Sequence, residues 1–214
     1  MNNLLYKEFK LNIHPLFYLV PLLGGLILIP GWLYFIAMMY VFFITITNVM
    51  SNAKSQNDFS YCSMLPIRRK DMVKARIMSI HIIQLLHIAV AIVFALINKQ
   101  LYRANLFMEP NAAFFGLVFI MYGIFNIIFF PMFYKTGHKI GLPAIFSITA
   151  TVLYAGAVEM GVLLIPKLNY ALDYPAPETL IWKLATLAVG IVFYIVTGIL
   201  SYKLSAKRFE KLGL

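Results

Sequence analysis

The sequence predicts an all-α membrane protein with six transmembrane helices, an N-terminal interfacial helix and a short helix in the loop between spans two and three. Three observations carry that prediction. Hydrophobic residues fill 62% of the 214 positions and charged residues only 12%, with a mean hydropathy of +0.83. The apolar residues gather in runs long enough to cross a bilayer, which takes about 20 helical residues. The basic residues fall in the short segments between those runs, with a strong bias to one side. A soluble domain has too little interior to hide so much apolar side chain.

Each element follows from a local pattern. Leu5, Phe9 and Ile13 recur at i+4 while Lys7, Glu8 and Lys10 point elsewhere, which predicts an amphipathic helix on the membrane surface over residues 1–15. Lys7 and Lys10 ahead of an apolar stretch resemble a secretory signal. No small-residue cleavage site follows, so the stretch reads as a retained first span. Leu16 to Ile46 is apolar almost throughout, too long for one crossing, and Pro30-Gly31 marks a turn inside it. The run therefore divides into span 1, residues 16–29, and span 2, residues 32–50. Span 1 is short, which predicts little tilt or help from flanking residues. Spans 3 to 6 follow at 77–97, 112–134, 140–165 and 179–202, with polar connections at 98–111 and 166–178. The longest stretch outside the spans, 51–76, is too short for a soluble domain, so residues 1–214 form a single transmembrane domain.

Of the 18 Lys and Arg residues, fourteen fall on one side: Lys7, Lys10, Lys54, Arg68, Arg69, Lys70, Lys74, Arg76, Lys135, Lys139, Lys203, Lys207, Arg208 and Lys211. Only Lys99, Arg103, Lys167 and Lys183 fall on the other. This bias predicts that both termini and the 51–76 loop face the cytoplasm. Trp32 and Trp182 at the predicted outer ends suit the headgroup layer. The net charge of +10 belongs to this membrane asymmetry and gives no sign of a nucleic-acid partner.

Catalytic constellations are missing. There is no P-loop, no H-E-x-x-H and no G-x-S-x-G, and the four histidines His14, His81, His87 and His138 are scattered. The single Cys62 has no disulfide partner and no zinc-type companions. The chain is therefore read as no enzyme and as binding neither metal nor cofactor. If it works by consuming ATP, another polypeptide hydrolyses it.

Four features stand out. Glu159 is the one acidic residue inside a predicted span, where an ionised side chain costs about 2.5–3.5 kcal/mol at mid-membrane. It either faces a cavity or reaches interfacial water near the outer end of span 5. In span 3, His81, Gln84 and His87 recur every three residues, a polar stripe turned from lipid that either lines a path or bonds to neighbouring helices. Small residues in span 5 (Ala144, Ala150, Ala155, Gly156, Ala157, Gly161) predict close helix packing. In the 51–76 loop, Asn57-Asp58 suits a helix start and Pro66 its end. Phe59, Cys62 and Leu65 between them give an apolar edge, either a docking surface for a protein partner or a segment folded onto the membrane.

The run from Asp58 to Arg76, DFSYCSMLPIRRKDMVKAR, resembles the span 2–3 loop of type-2 ABC transporter permeases. In that family an acidic residue and an aromatic precede a Leu-Pro pair, and a basic residue, a Val and another basic residue lead into span 3. The six spans, the amphipathic N-terminus and the basic tail Ser205–Glu210 are similar too. Small permeases of this build include membrane subunits of bacterial peptide-toxin (phenol-soluble-modulin) exporters. The resemblance implies a cell-membrane permease that pairs with a second permease chain, as a homo- or heterodimer, and binds a separate cytoplasmic ABC ATPase carrying ATP and Mg²⁺. It implies that Asp58, Phe59, Tyr61 and Leu65 form a coupling helix against that ATPase, with Pro66 setting the bend. Arg68, Arg69, Lys70, Lys74 and Arg76 would contact the partner or anionic lipid. The cargo class it suggests is an amphipathic peptide or lipophilic compound. Two other classes remain open on the residues alone. An ion-coupled secondary transporter needs several charges at mid-membrane, where only Glu159 qualifies. A non-transporting scaffold or sensor needs no path at all.

Overall fold

The structure is a computed structural model that describes residues 2–56, 58, 64, 66–101, 107–136 and 139–211. Among them there is no strand; every regular element is helical. Helix α1 spans Asn2–Lys7 and runs on as a wider π-turn over Glu8–Asn12, closed by the Ile13 N–H on the Glu8 carbonyl at 3.1 Å. After a break at Ile13 and His14 the chain bends by 81° into a second apolar helix, and this bent pair makes a sixth candidate span beside five long apolar helices. The Tyr18 hydroxyl donates to the Phe9 carbonyl at 2.7 Å and pins the two arms of this bend.

That apolar helix, Pro15–Leu28, is a 3₁₀ helix. The geometry answers the length problem posed by the sequence. Fourteen residues would rise only about 21 Å as an α-helix. At about 2.0 Å per residue they reach about 28 Å, close to the hydrocarbon thickness. Pro21 inside the segment cannot donate to an α-ladder and its ring crowds the carbonyl four residues back, so α geometry is disfavoured here in any case. Gly24 lies against Ala91, where an added Cβ would sit 3.2 Å from the Ala91 Cα. Gly31, at φ 69°, supplies the left-handed conformation of the following turn.

Helix α2 covers Tyr34–Ser55, with a π-turn at Val41–Ile46. Helix α3, Arg69–Leu101, has 33 residues and a length of about 50 Å, so it projects beyond the bilayer. It includes Asn98, which the sequence assigns to a loop. The Asn98 amide donates to the Ile27 carbonyl at 2.6 Å and to the Tyr34 hydroxyl at 3.2 Å, tying three elements at one point. Helix α4, Ala112–Lys135, is capped by the Asn111 side chain accepting from the Phe114 N–H. Its Phe125, Phe129 and Phe133 stack at i+4, and Phe42 of α2 lies flat on Phe125 at 4.0 Å. Helices α5 (Gly141–Leu164), α6 (Pro166–Leu172) and α7 (Leu180–Lys211) complete the order.

Helices α4 and α7 cross most closely. A Cβ built on Gly190 would lie 2.0 Å from the Gly116 carbonyl oxygen, so the two backbones touch. The packing of α5 corrects the sequence reading. Its buried stripe is Pro143, Ser147, Thr151, Ala155, Glu159 and Val162, at a spacing close to four residues. Of the small residues singled out, only Ala155 lies in it, and Gly156 faces open space. Ser147 and Thr151 return their hydroxyls to their own helix carbonyls, which lets polar side chains line a close helix contact.

Candidate functional site

At the end of the bundle that holds the N-terminus, four charged side chains from three segments meet. Arg76 lies on α3, seven residues beyond its start, and is 3% exposed. Its guanidinium grips Glu8 with two bonds, Nε to Oε2 at 3.0 Å and Nη2 to Oε1 at 3.1 Å. Nη2 also bonds the Asp58 Oδ2. The Lys7 ammonium closes the ring, 2.6 Å from Asp58 Oδ1 and 3.3 Å from Glu8 Oε1. The Asn12 amide donates to Glu8 Oε2 at 2.8 Å and reaches Asp58 Oδ2 at 3.4 Å. Two cations thus face two carboxylates, and the ring sums to zero charge.

Local structure explains the meeting. Glu8 and Asn12 share one face of the N-terminal helix, and the π-turn carries both toward α3. Burial by itself would push the Glu8 and Asp58 carboxyls upward. The Arg76 charge beside them, with Lys7 adding to it, outweighs burial and holds both below their ordinary values. The same end is tied by aromatics: Arg69 lies over the Phe209 ring at 6.0 Å, and Phe209 packs on Tyr134 at 5.5 Å. A cleft of about 830 Å³ opens beside the ring, bordered by Asn3, Lys7, Asp58, Pro66, Arg68 and Lys74.

Deeper in the bundle, Gln84 of α3 and Asn126 of α4 exchange two amide bonds at 3.0 and 2.9 Å. The Tyr194 hydroxyl of α7 donates to Gln84 Oε1 at 2.8 Å and lies 2.6 Å from His81 Nδ1. Ser201 of α7 donates to the Asn126 carbonyl at 2.9 Å. Three spans are therefore joined by one polar network inside an apolar core. His87 looks elsewhere: its Nδ1 lies 3.3 Å from the Tyr122 hydroxyl, which donates to the Met38 carbonyl at 3.0 Å. Six residues turn a helix by about 240°, so His81 and His87 cannot share a face.

The protein-family description that matches this chain is "ABC-2 family transporter protein", over residues 3–210. The chain belongs to that family. It is thus a multi-pass membrane subunit of the permease type, a class whose members are not catalytic and work with a cytoplasmic ABC ATPase. No curated protein and no solved structure matches it.

Phe59, Tyr61 and Leu65, which the resemblance assigns to coupling, lie outside the described residues of this permease. Pro66 is described and exposed. Asp58 is buried in the ionic ring, so its carboxylate faces the membrane domain's own cations and not an outside partner. Arg76 also requires correction. The sequence groups it with the lipid- or partner-contacting cations, yet it is buried in the ring, where it bonds both carboxylates. Arg68 pairs with Asp71 at 2.8 Å, while Lys70 and Lys74 are exposed.

The polar stripe does not line an open path over its length. Gln84 and His87 are fully buried, while His81 borders a cavity between α3 and α7. Glu159 sits near the end of α5, 3% exposed, with Oε2 accepting from the Met108 N–H at 3.3 Å. Among the described residues its Oε1 has no hydrogen-bond partner, and no group of three or more His, Cys, Asp and Glu is placed to hold a metal. Sequence reasoning missed Glu8, Asn126 and Tyr194. Glu8 is the one acid of a basic N-terminal segment, and Asn126 the one amide inside residues 112–134; each was a visible signal.

Proposed function

We propose that this permease is the membrane half of an ATP-driven exporter. In the bacterial cell membrane it pairs with a second permease chain, and a separate cytoplasmic ATPase holds the ATP and Mg²⁺. Both termini and the loop between α2 and α3 face the cytoplasm, as the basic asymmetry favours. Phe59, Tyr61 and Leu65 dock on the ATPase, Pro66 sets the bend behind them, and the segment before the 81° bend lies on the inner leaflet.

The observation that carries this reading is the ionic ring. Through Asp58 it binds the loop that would meet the ATPase to the N-terminal helix and to α3 at once. A loop held by unpaired side chains would absorb a push by bending. A loop clamped to two membrane elements passes it on, and α3 carries it to the Gln84–Asn126–Tyr194 network. ATP acts by its different affinity for the two arrangements of the paired ATPases, shifting the spans between them. A lining rich in the chain's Phe, Tyr and Met suits an amphipathic peptide or lipophilic compound.

One observation favours an ion-coupled alternative: the buried Glu159. Export measured in inside-out vesicles separates the two. The exporter needs ATP and the ATPase subunit and continues when an ionophore collapses the ion gradients. Transport that persists without the ATPase and stops with the gradient would reject the proposal.

A further inference from the structure

On the outer surface of the bundle, a groove of about 260 Å³ runs between α3 and α7. Ile77 and Met78 form one wall and Ile195 and Ile199 the other. Gly198 lies at the floor, where a Cβ would stand 3.2 Å from the His81 ring, so a side chain at that position would crowd the ring. The His81–Tyr194 bond closes the inner end, and Lys74 stands at the mouth beside Tyr202. Seven residues separate Lys74 from His81, so the groove runs about 10 Å into the membrane from the basic end.

The mouth is what identifies the occupant. Lys74 is exposed and has no carboxylate within ion-pair distance among the described residues. The acid nearest in sequence, Asp71, is taken by Arg68. Lys70 stands one turn outward on the same face and adds to the positive charge. We propose that this groove is a binding site for an anionic phospholipid, with one acyl chain along the Ile77–Ile199 walls and the phosphate on the Lys74 ammonium. A zwitterionic lipid would fill the same walls but bring its own cation to a lysine. The occupant lies between α3, which bears Arg76, and α7, which bears Tyr194, so its headgroup reports on two helices joined by the polar network. The inference needs these helices to cross a membrane and is independent of the ATPase.

The test is lipid retention. The full chain is reconstituted in vesicles of equal phosphatidylglycerol and phosphatidylcholine, extracted in mild detergent, and its bound lipid quantified by mass spectrometry. The wild type retains phosphatidylglycerol in preference. Lys74→Gln lowers that preference about five-fold, the worth of one lysine near an anionic surface, whereas Lys167→Gln, an equal charge change elsewhere, leaves it intact. Gly198→Leu fills the floor and lowers retention of both lipids; Ile195→Trp does the same from the wall if that variant does not fold. Equal retention of the two lipids by the wild type, or identical behaviour of Lys74→Gln and Lys167→Gln, would overturn the proposal. So would a Gly198→Leu chain that keeps its lipid but changes oligomeric state, since the groove would then be a protein interface.

Discussion

Arg76→Met is the substitution that bears hardest on the ionic ring. Methionine preserves much of the apolar stem and removes the cation, leaving Glu8 and Asp58 facing one another with Lys7 alone between them. Glu8 and Arg76 each have side chains only 3% exposed, so solvent cannot take over the lost charge. Removing one partner of such a buried pair costs about 3–5 kcal/mol. For a chain of this size that corresponds to a melting temperature lower by about 6–20 °C. The cost belongs to the uncompensated charges and not to lost packing. Arg76→Met combined with Glu8→Gln and Asp58→Asn should therefore recover most of it. The dependence on pH gives a second check. Both carboxyls titrate below their ordinary values of 4.5 and 3.8, because Arg76 and Lys7 outweigh burial. Their contribution is present above those ordinary values and disappears as pH falls through the folded ones. The wild type should lose stability over that acid window, and Arg76→Met should lose much less. The assay is thermal unfolding in mild detergent, followed by tryptophan fluorescence at pH 7.5 and down to pH 3.5. If Arg76→Met melts with the wild type at pH 7.5, or the triple variant melts no higher than the single one, the reasoning about the ring is wrong.

Three further outcomes are expected. Gly190→Ala places a Cβ 2.0 Å from the Gly116 oxygen, about 1.4 Å inside the ordinary contact distance of 3.4 Å, so α4 and α7 must separate. The same melting assay should show a loss of at least 1–3 kcal/mol, while Gly156→Ala, with nothing within 4 Å, should be neutral or slightly stabilising. A double-mutant cycle of Gln84→Leu and Asn126→Leu should give a coupling energy of about 0.6–1.7 kcal/mol in detergent unfolding, and zero coupling would deny that the amide pair joins α3 to α4. Glu159→Gln keeps the acceptor for the Met108 N–H, so ATP-dependent export in vesicles should persist within about two-fold; abolition would make its carboxylate part of the transport step.

The order of the elements was legible because hydrophobic run length and Lys/Arg placement are local properties. The five later candidate spans need only that information. The first did not yield its geometry so readily: a short run with Pro15 and Pro21 showed a length problem, and the 3₁₀ solution depends on a helix gaining reach by tightening its turns. Span 5 was misread for a related reason. Small residues mark where close packing is permitted, but the stripe that packs is chosen by helix phase, and 143, 147, 151, 155 and 159 fall in phase where Gly156 and Ala157 do not. Of the His81, Gln84 and His87 stripe, Gln84 and His87 are buried, whereas His81 is half-buried at the α3–α7 groove, and about 240° of rotation gives the two ends different partners. Asp58 was assigned to the ATPase by the family resemblance, and Arg76 to a partner or anionic lipid with the basic run around it. Their burial depends on Glu8, 68 residues from Arg76 in the chain; Glu8 stands out in its own segment, but which cation it meets is not a local property.

The central claim, that this permease answers to a separate ATPase through the loop after α2, is tested most directly by co-purification. The tagged chain is solubilised in mild detergent and incubated with the ATP-binding subunits of its host, beside Tyr61→Ala and a folded control, Lys167→Gln. The account expects an ATPase to be recovered by the wild type and by Lys167→Gln, and lost with Tyr61→Ala while the melting temperature is unchanged. A correctly folded wild type that recovers no ATPase, or a Tyr61→Ala chain that binds as well as the wild type, would contradict it.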